Sequence, residues 1–105
     1  MNDWIELKLV DPLTEGRPCV AHDPAGKAYA VCLVDGQTYV CENECLHQGG
    51  PLGDGYLMGT TLGCPWHGWE FDLTTGECLD MPGECLSTYP SRLLEGRVEI
   101  QPRDH

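Results

Sequence analysis

The sequence predicts an all-β fold, and three observations support this prediction. With 105 residues the chain has the length of one small domain, so we expect residues 1–105 to form a single unit. Its 13 glycines and 8 prolines favour many tight turns between short elements. Apolar and polar residues alternate over short runs, and no segment keeps a helical period through several turns. We therefore expect a small antiparallel β-sandwich or barrel.

Each predicted strand is a short run bounded by turn residues. The first, 4–9, alternates apolar and polar side chains as a half-buried strand does. The Asp35-Gly36 pair is typical of a two-residue hairpin turn, and further hairpins are predicted near 74–76 and 95–96. The predicted strands are 4–9, 18–22, 29–34, 37–41, 60–63, 69–73, 76–79, 92–94 and 97–101.

The charge balance restricts the partners that the protein can bind. The chain has 6 Lys and Arg against 17 Asp and Glu, a formal net charge of −11. Such a surface repels phosphate backbones and anionic lipids, so we expect neither nucleic acid nor membrane as a partner. No apolar run approaches the roughly 20 residues that span a bilayer. A basic docking face on another protein is the natural complement, although acidity that only keeps the protein soluble remains the alternative.

The cysteines indicate a reducing compartment. There are 7 of them, an odd number that cannot pair completely, and the first residues do not resemble a signal peptide. We expect a cytoplasmic protein, in which cysteines serve more often as metal ligands than as disulfides. Five cysteines outside the motif described next are expected to be buried and reduced: Cys19, Cys32, Cys41, Cys78 and Cys85.

Two short segments each carry one cysteine and one histidine. Cys45 and His47 are two positions apart, Cys64 and His67 are three apart, and sixteen residues separate the two segments. Zinc sites usually pair like ligands in each segment, whereas here every segment is mixed. Two mixed segments that face each other can divide the ligands of a two-iron cluster, with both thiolates on one iron and both imidazoles on the other.

The surrounding residues extend this pattern. Glycines accompany both segments and permit the close backbone approach that cluster sulfides need. A zinc site without redox function remains the alternative. The first loop reads Cys45-Leu46-His47-Gln48-Gly49-Gly50-Pro51-Leu52, and the second reads Cys64-Pro65-Trp66-His67-Gly68-Trp69-Glu70-Phe71-Asp72.

In these residues the sequence resembles the Rieske family, from about 41 to 90. The resemblance implies one Rieske-type [2Fe–2S] cluster, bound by Cys45, His47, Cys64 and His67, in a cluster-binding subdomain formed by two loops. Pro82 falls where the family places a third loop beside the cluster.

Three positions indicate the branch of the family. Respiratory members carry bridging cysteines where this chain has Gly50 and Trp66, so that disulfide cannot form here. They also carry a serine where this chain has Trp69, and its hydroxyl donates a hydrogen bond that raises the reduction potential. We therefore expect a potential near the bottom of the Rieske range of roughly −150 to +300 mV.

The sequence thus resembles the soluble Rieske-type ferredoxins of multicomponent oxygenases. These proteins are electron carriers, not enzymes, and relay electrons from a flavoprotein reductase to a terminal oxygenase that often acts on aromatic rings. The oxygenase itself needs a second domain with a mononuclear iron, for which this chain has no room. An accessory Rieske subunit of a nitrite-reductase-like complex is the alternative function.

Docking to these partners is expected at the cluster tip, with the chain acting as a monomer. Trp66 can be an exposed docking residue or a packing residue that shields the cluster, whereas Trp69 and Phe71 are expected in the core. Carboxylates at Glu42, Glu44 and Asp54 can steer a basic partner, or can simply be solvated. The residues assigned to the cluster loops and docking tip are Gln48, Gly49, Pro65, Trp66, Gly68, Met81 and Pro82.

Overall fold

The computed structural model describes residues 4–44, 50–66, 68–81 and 83–101. Helix in these ranges is limited to one 3₁₀ turn, Leu52–Asp54, and no described helix is long and apolar enough to cross a membrane. The strands in chain order are β1 (Ile5–Leu9), β2 (Cys19–His22), β3 (Ala28–Val34), β4 (Gln37–Glu42), β5 (Tyr56–Met58), β6 (Thr61–Gly63), β7 (Glu70–Asp72), β8 (Thr88–Tyr89), β9 (Ser91–Leu94) and β10 (Arg97–Ile100).

The strands form a large sheet and a small sheet, and all their pairings are antiparallel. The large sheet has the order β8-β4-β3-β2-β1-β10-β9, and the small sheet has the order β5-β6-β7. Ser91 in β9 lies 2.8 Å from the Thr38 hydroxyl of β4 and donates to its carbonyl at 3.1 Å. This contact joins opposite ends of the large sheet, which curls into a near-barrel. The all-β prediction is confirmed.

Strand β3 separates two hydrophobic cores. Ala30 and Cys32 point into the core beneath the small sheet, where they join Phe71. The alternate residues, such as Val31, point into a second core inside the large sheet, where Val98 also lies. Both faces of β3 are therefore covered, and residues 29–32 are buried without interruption.

The predicted hairpins at 35–36 and 95–96 are confirmed with small shifts in their ends, whereas the one near 74–76 is confirmed only as a turn. Asp35 and Glu95 both have φ of 53°, and the glycines that follow them have φ of 78° and 79°, as a type I′ turn requires. The hairpin near 74–76 keeps its hydrogen bonds, including the one from Asp72 N–H to the Glu77 carbonyl at 2.9 Å. Its second arm makes only isolated bridges, so the predicted strand 76–79 is absent from the described residues.

Two findings correct or extend the sequence analysis. The prediction that all five remaining cysteines are buried is wrong for Cys85, which is exposed and lies outside both sheets. The other four, Cys19, Cys32, Cys41 and Cys78, are buried as predicted. Strands β5 and β8, of three and two residues, were not predicted.

Candidate metal centre

The second loop connects β6 to β7 and is closed at its base. Cys64 follows directly after β6, and its N–H donates to the Trp69 carbonyl at 2.7 Å, just before β7 begins. The Cys64 side chain is only 1% exposed, and its Sγ accepts the Trp66 N–H at 3.3 Å. A backbone N–H directed at sulfur stabilises the negative charge of a thiolate, as a metal-bound cysteine requires.

The first loop is closed by Asn43, which follows β4. The Asn43 carbonyl accepts the Leu52 N–H at 2.7 Å, and its side-chain oxygen accepts the Gly53 N–H at 2.7 Å. Glu44 also forms an antiparallel bridge with Pro51. These contacts bring together the two ends of the segment that carries Cys45 and His47 in the sequence. The sequence analysis did not identify Asn43, although an asparagine between a strand and a glycine-rich segment is a turn signal.

The two loops touch each other at Gly50. A Cβ atom on Gly50 would lie 2.8 Å from Cys64 Sγ and 3.0 Å from two atoms of the Trp66 ring. Glycine is therefore required here by space. Gly50 and Trp66 are also the positions at which the resemblance places the bridging cysteines of respiratory members, so this contact occupies the place of that disulfide.

Several residues of the predicted site lie outside the described residues. These are the predicted ligands Cys45, His47 and His67, together with Gln48, Gly49 and Pro82. Cys64 is the one predicted ligand that the structure describes. Within the described ranges, no group of three or more His, Cys, Asp or Glu side chains is arranged to hold a metal ion.

The described members of the predicted docking tip are exposed. Trp66 is 48% exposed and Met81 is 46% exposed, and Pro65 and Gly68 are exposed as well. By contrast Phe71 is fully buried and Trp69 packs partly buried against the same core, as predicted.

The segment around Met81 is tied to the second loop. The Asp80 carboxylate accepts the Glu70 N–H at 2.8 Å, and the Leu79 N–H donates to the Glu70 carbonyl at 2.8 Å. The segment that carries Met81 is thereby fixed beside the base of the second loop, where the sequence analysis places a third loop.

Two further cysteines, Cys32 and Cys41, are buried in the core that also contains Cys64. Burial, with a smaller effect from Cys19, raises the pKa of the Cys32 thiol to about 12. Burial raises the pKa of Cys41 well above its usual value. Desolvation disfavours both thiolates, and both side chains pack in the core as small hydrophobic groups.

Comparison with known proteins defines the class of protein. Residues 3–90 match the Rieske [2Fe-2S] domain, so the chain belongs to the Rieske [2Fe–2S] family. The predicted cofactor, a Rieske-type [2Fe–2S] cluster, is therefore confirmed. The buried Cys64 sulfur, its N–H donor and the close approach at Gly50 fit a site that holds such a cluster.

Within that family the chain is similar to ferredoxins of oxygenase systems. It is 33% identical to the ferredoxin component of the naphthalene 1,2-dioxygenase/salicylate 5-hydroxylase systems of Ralstonia sp., covering 95% of this chain and 96% of that protein. The Sphingomonas yanoikuyae B1 ferredoxin structure matches with a TM-score of 0.81 at 34% identity, covering 96% of this chain and 100% of the other. These names confirm the predicted class, an electron carrier and not itself an enzyme.

A third comparison concerns assembly. The ferredoxin in the complex of reduced oxygenase and oxidized ferredoxin of carbazole 1,9a-dioxygenase matches with a TM-score of 0.77 at 26% identity. The match covers 90% of this chain and 98% of the other. A related ferredoxin thus binds its terminal oxygenase directly.

Proposed function

We propose that this chain is a soluble, cytoplasmic one-electron carrier that relays electrons from a flavoprotein reductase to a terminal oxygenase. Residues 1–105 form a single Rieske domain, and about 41–90 form its cluster-binding region. The oxygenase acts on aromatic or related organic substrates, a class supported by the names of the similar ferredoxins. The chain acts as a monomer.

The cluster ligands in this proposal are Cys45, His47, Cys64 and His67. The observation that carries the assignment is the environment of Cys64, whose buried Sγ accepts a backbone N–H beside Gly50. Gly50 is three residues after His47, so the first loop ends against the sulfur of the second loop. This contact supports a shared site for the ligands of both loops.

Individual residues of this chain have distinct roles at the proposed cluster site. When bound, the cluster supplies a site that gains and loses one electron reversibly. The Trp66 N–H offsets negative charge at the Cys64 sulfur, and Gly50 leaves space for that sulfur. Pro65 has no N–H of its own and restricts the backbone between the ligands.

Partner docking is proposed at the tip formed by the ligand loops and the segment around Met81. The exposed Trp66 and Met81 provide apolar contact area, which aromatic residues and methionine supply at many interfaces. Exposed carboxylates nearby, including Glu44 and Asp80, together with the net charge of −11, favour basic docking faces on the reductase and the oxygenase. The other proposed tip residues are Gln48, Gly49, Pro65, Gly68 and Pro82.

Reconstituted turnover tests this function. The anaerobically purified chain is combined with the reductase and oxygenase of a naphthalene 1,2-dioxygenase system, and product is measured with and without the chain. We expect reduction of the chain by NADH through the reductase, and product that depends on the chain. Cys64→Ala should abolish the transfer, while the matched Cys85→Ser should retain it, because Cys85 is exposed outside the ligand set.

Other outcomes would contradict the proposal. A chain that keeps its cluster only inside a permanent complex would support the accessory subunit of a nitrite-reductase-like enzyme. A chain that contains zinc and no iron would indicate a binding module without redox function.

A further inference from the structure

A row of three residues crosses the small sheet directly below the second ligand loop. Tyr56 of β5 pairs with Gly63 of β6, and Gly63 pairs with Glu70 of β7. Directly paired residues of neighbouring strands point to the same face of a sheet. Gly63 is the residue before Cys64, and Glu70 is the residue after Trp69. The row therefore spans both ends of the loop that carries the proposed ligands Cys64 and His67.

The Tyr56 ring lies flat over Gly63. The three atoms nearest to a Cβ placed on Gly63 all belong to the Tyr56 ring, and all would overlap it. Gly63 does not have a positive φ, so its backbone conformation is open to any residue. The nearest obstacle to a side chain at position 63 is therefore the Tyr56 ring.

The Tyr56 hydroxyl reaches across the row to Glu70. It donates to the Glu70 carboxylate at 3.2 Å, and it lies 3.9 Å from the place of a Cβ on Gly68, inside the second loop. Burial and the neighbouring Glu70 raise the pKa of Tyr56, so the phenol keeps its proton and remains a donor. The Glu70 N–H in turn donates to Asp80 at 2.8 Å, which links the row to the segment around Met81.

Tyr56 is not a core residue, which separates its role from general packing. Its side chain is 41% exposed and belongs to neither hydrophobic core. Its contacts with the described residues are instead at the second loop: Gly63 and Glu70 flank that loop, and Gly68 lies within it. These contacts lie at the second loop and not in either core.

We propose that Tyr56 is a positioning residue that holds the second ligand loop, residues 64–69, in the conformation that retains the cluster. The ring acts through Gly63 and the hydroxyl acts through Glu70. This inference rests on the proposed function, because it assigns Tyr56 a role toward the cluster that Cys64 and His67 hold.

Tyr56→Phe tests the hydroxyl, with Tyr89→Phe as its matched control. Tyr89 also loses one side-chain hydrogen bond, the one from Lys27 Nζ at 3.0 Å, but it lies in the large sheet. The readouts are the decay of cluster absorption in the presence of an iron chelator and the midpoint potential. We expect Tyr56→Phe to lose its cluster about two- to fivefold faster than wild type, the effect of one modest hydrogen bond.

The midpoint potential distinguishes loss of the hydrogen bond from loosened packing alone. In Tyr56→Phe the Glu70 carboxylate loses a donor, so more of its negative charge acts on the site and the potential should fall. Glu70→Gln should raise the midpoint potential, because it removes a negative charge. It should lose its cluster as slowly as wild type does, since the amide oxygen still accepts from the phenol. Tyr89→Phe should match wild type in both measurements.

A double-substitution cycle tests the ring. Gly63→Ala in the wild-type background displaces the Tyr56 ring, so we expect fast cluster loss, equal to that of Tyr56→Ala. In the Tyr56→Ala background the same Gly63→Ala change should add much less, because the three atoms nearest to the new Cβ are gone. Independent, additive effects of the two substitutions would overturn the proposal.

The outcomes separate this inference from the proposed function. If wild type holds its cluster, Tyr56→Phe equals Tyr89→Phe in both potential and cluster loss, and the effects of Gly63→Ala and Tyr56→Ala are additive, the role of Tyr56 is refuted and the carrier function stands. If wild type holds no [2Fe–2S] cluster, the proposed function fails and the inference fails with it.

Discussion

Two glycines set the space around the second loop. A Cβ on Gly50 would meet Cys64 Sγ and the Trp66 ring. A Cβ on Gly63 would meet the Tyr56 ring. The sequence predicts that glycines in register with cysteine and histidine shape the loops. It does not predict their aromatic partners, because these contacts join residues whose spacing follows no fixed period.

Gly50→Ala should prevent stable cluster binding. The added methyl group would lie 2.8 Å from Cys64 Sγ, so either that sulfur or the Trp66 ring must move away. We expect iron content and visible absorption to fall to a small fraction of wild type. Gly59→Ala is the control, because its Cβ meets nothing within 4 Å, although its φ of 60° still costs some stability. Equal cluster content in Gly50→Ala and wild type would show that the two loops do not meet at this position.

The histidine ligands are tested by changing their charge. His67→Cys or His47→Cys replaces a neutral imidazole with a thiolate, which makes the site more negative and disfavours the added electron. We expect a lower midpoint potential or loss of the cluster, starting from a wild-type value near the bottom of the range of roughly −150 to +300 mV. A variant that keeps both the cluster and the wild-type potential would contradict the ligand assignment.

At the scale of elements, turn chemistry is the most informative part of the sequence. The Asp35-Gly36 turn predicts its hairpin because both residues adopt the positive φ that a type I′ turn requires. Strand alternation is less informative in β3, where both faces are buried. Long-range contacts are not predictable in this way: Glu15, twenty residues before that turn, accepts N–H groups from both of its central residues.

Glu15→Ala should destabilise the hairpin without affecting the cluster. The carboxylate accepts the Asp35 N–H at 2.6 Å and the Gly36 N–H at 3.3 Å. Their loss should cost about 1 kcal/mol, which lowers Tm by about 4–8 °C in a domain of this size. Glu84→Ala is the control, since the Glu84 carboxylate makes no hydrogen bond to the described residues. A Tm loss equal to that of Glu84→Ala, or an altered midpoint potential, would refute this role of Glu15.

At the scale of the whole molecule, the chain combines a curled large sheet with a small sheet that supports the second ligand loop. The net charge of −11 is a property of the entire surface and could be read from composition. The contact between Thr38 and Ser91 that curls the large sheet could not, because it depends on how seven strands twist together.

The acidic surface predicts salt-sensitive association with both redox partners. Complementary charges accelerate encounter, and ions screen them over about 8 Å at physiological ionic strength. We expect the KM for this chain in the reconstituted assay to rise steadily with NaCl, while kcat changes little. A KM that stays constant from low to high salt would show that docking does not depend on basic partner faces.

The central claim is that Cys45, His47, Cys64 and His67 hold a Rieske cluster. Pulsed EPR of the dithionite-reduced, anaerobically purified chain, together with iron, zinc and sulfide analysis, tests it most directly. We predict two iron and two sulfide per chain. We also predict hyperfine coupling from two histidine nitrogens in wild type, and from only one in His47→Cys and in His67→Cys. Zinc without iron, or an EPR signal without nitrogen coupling, would contradict the claim.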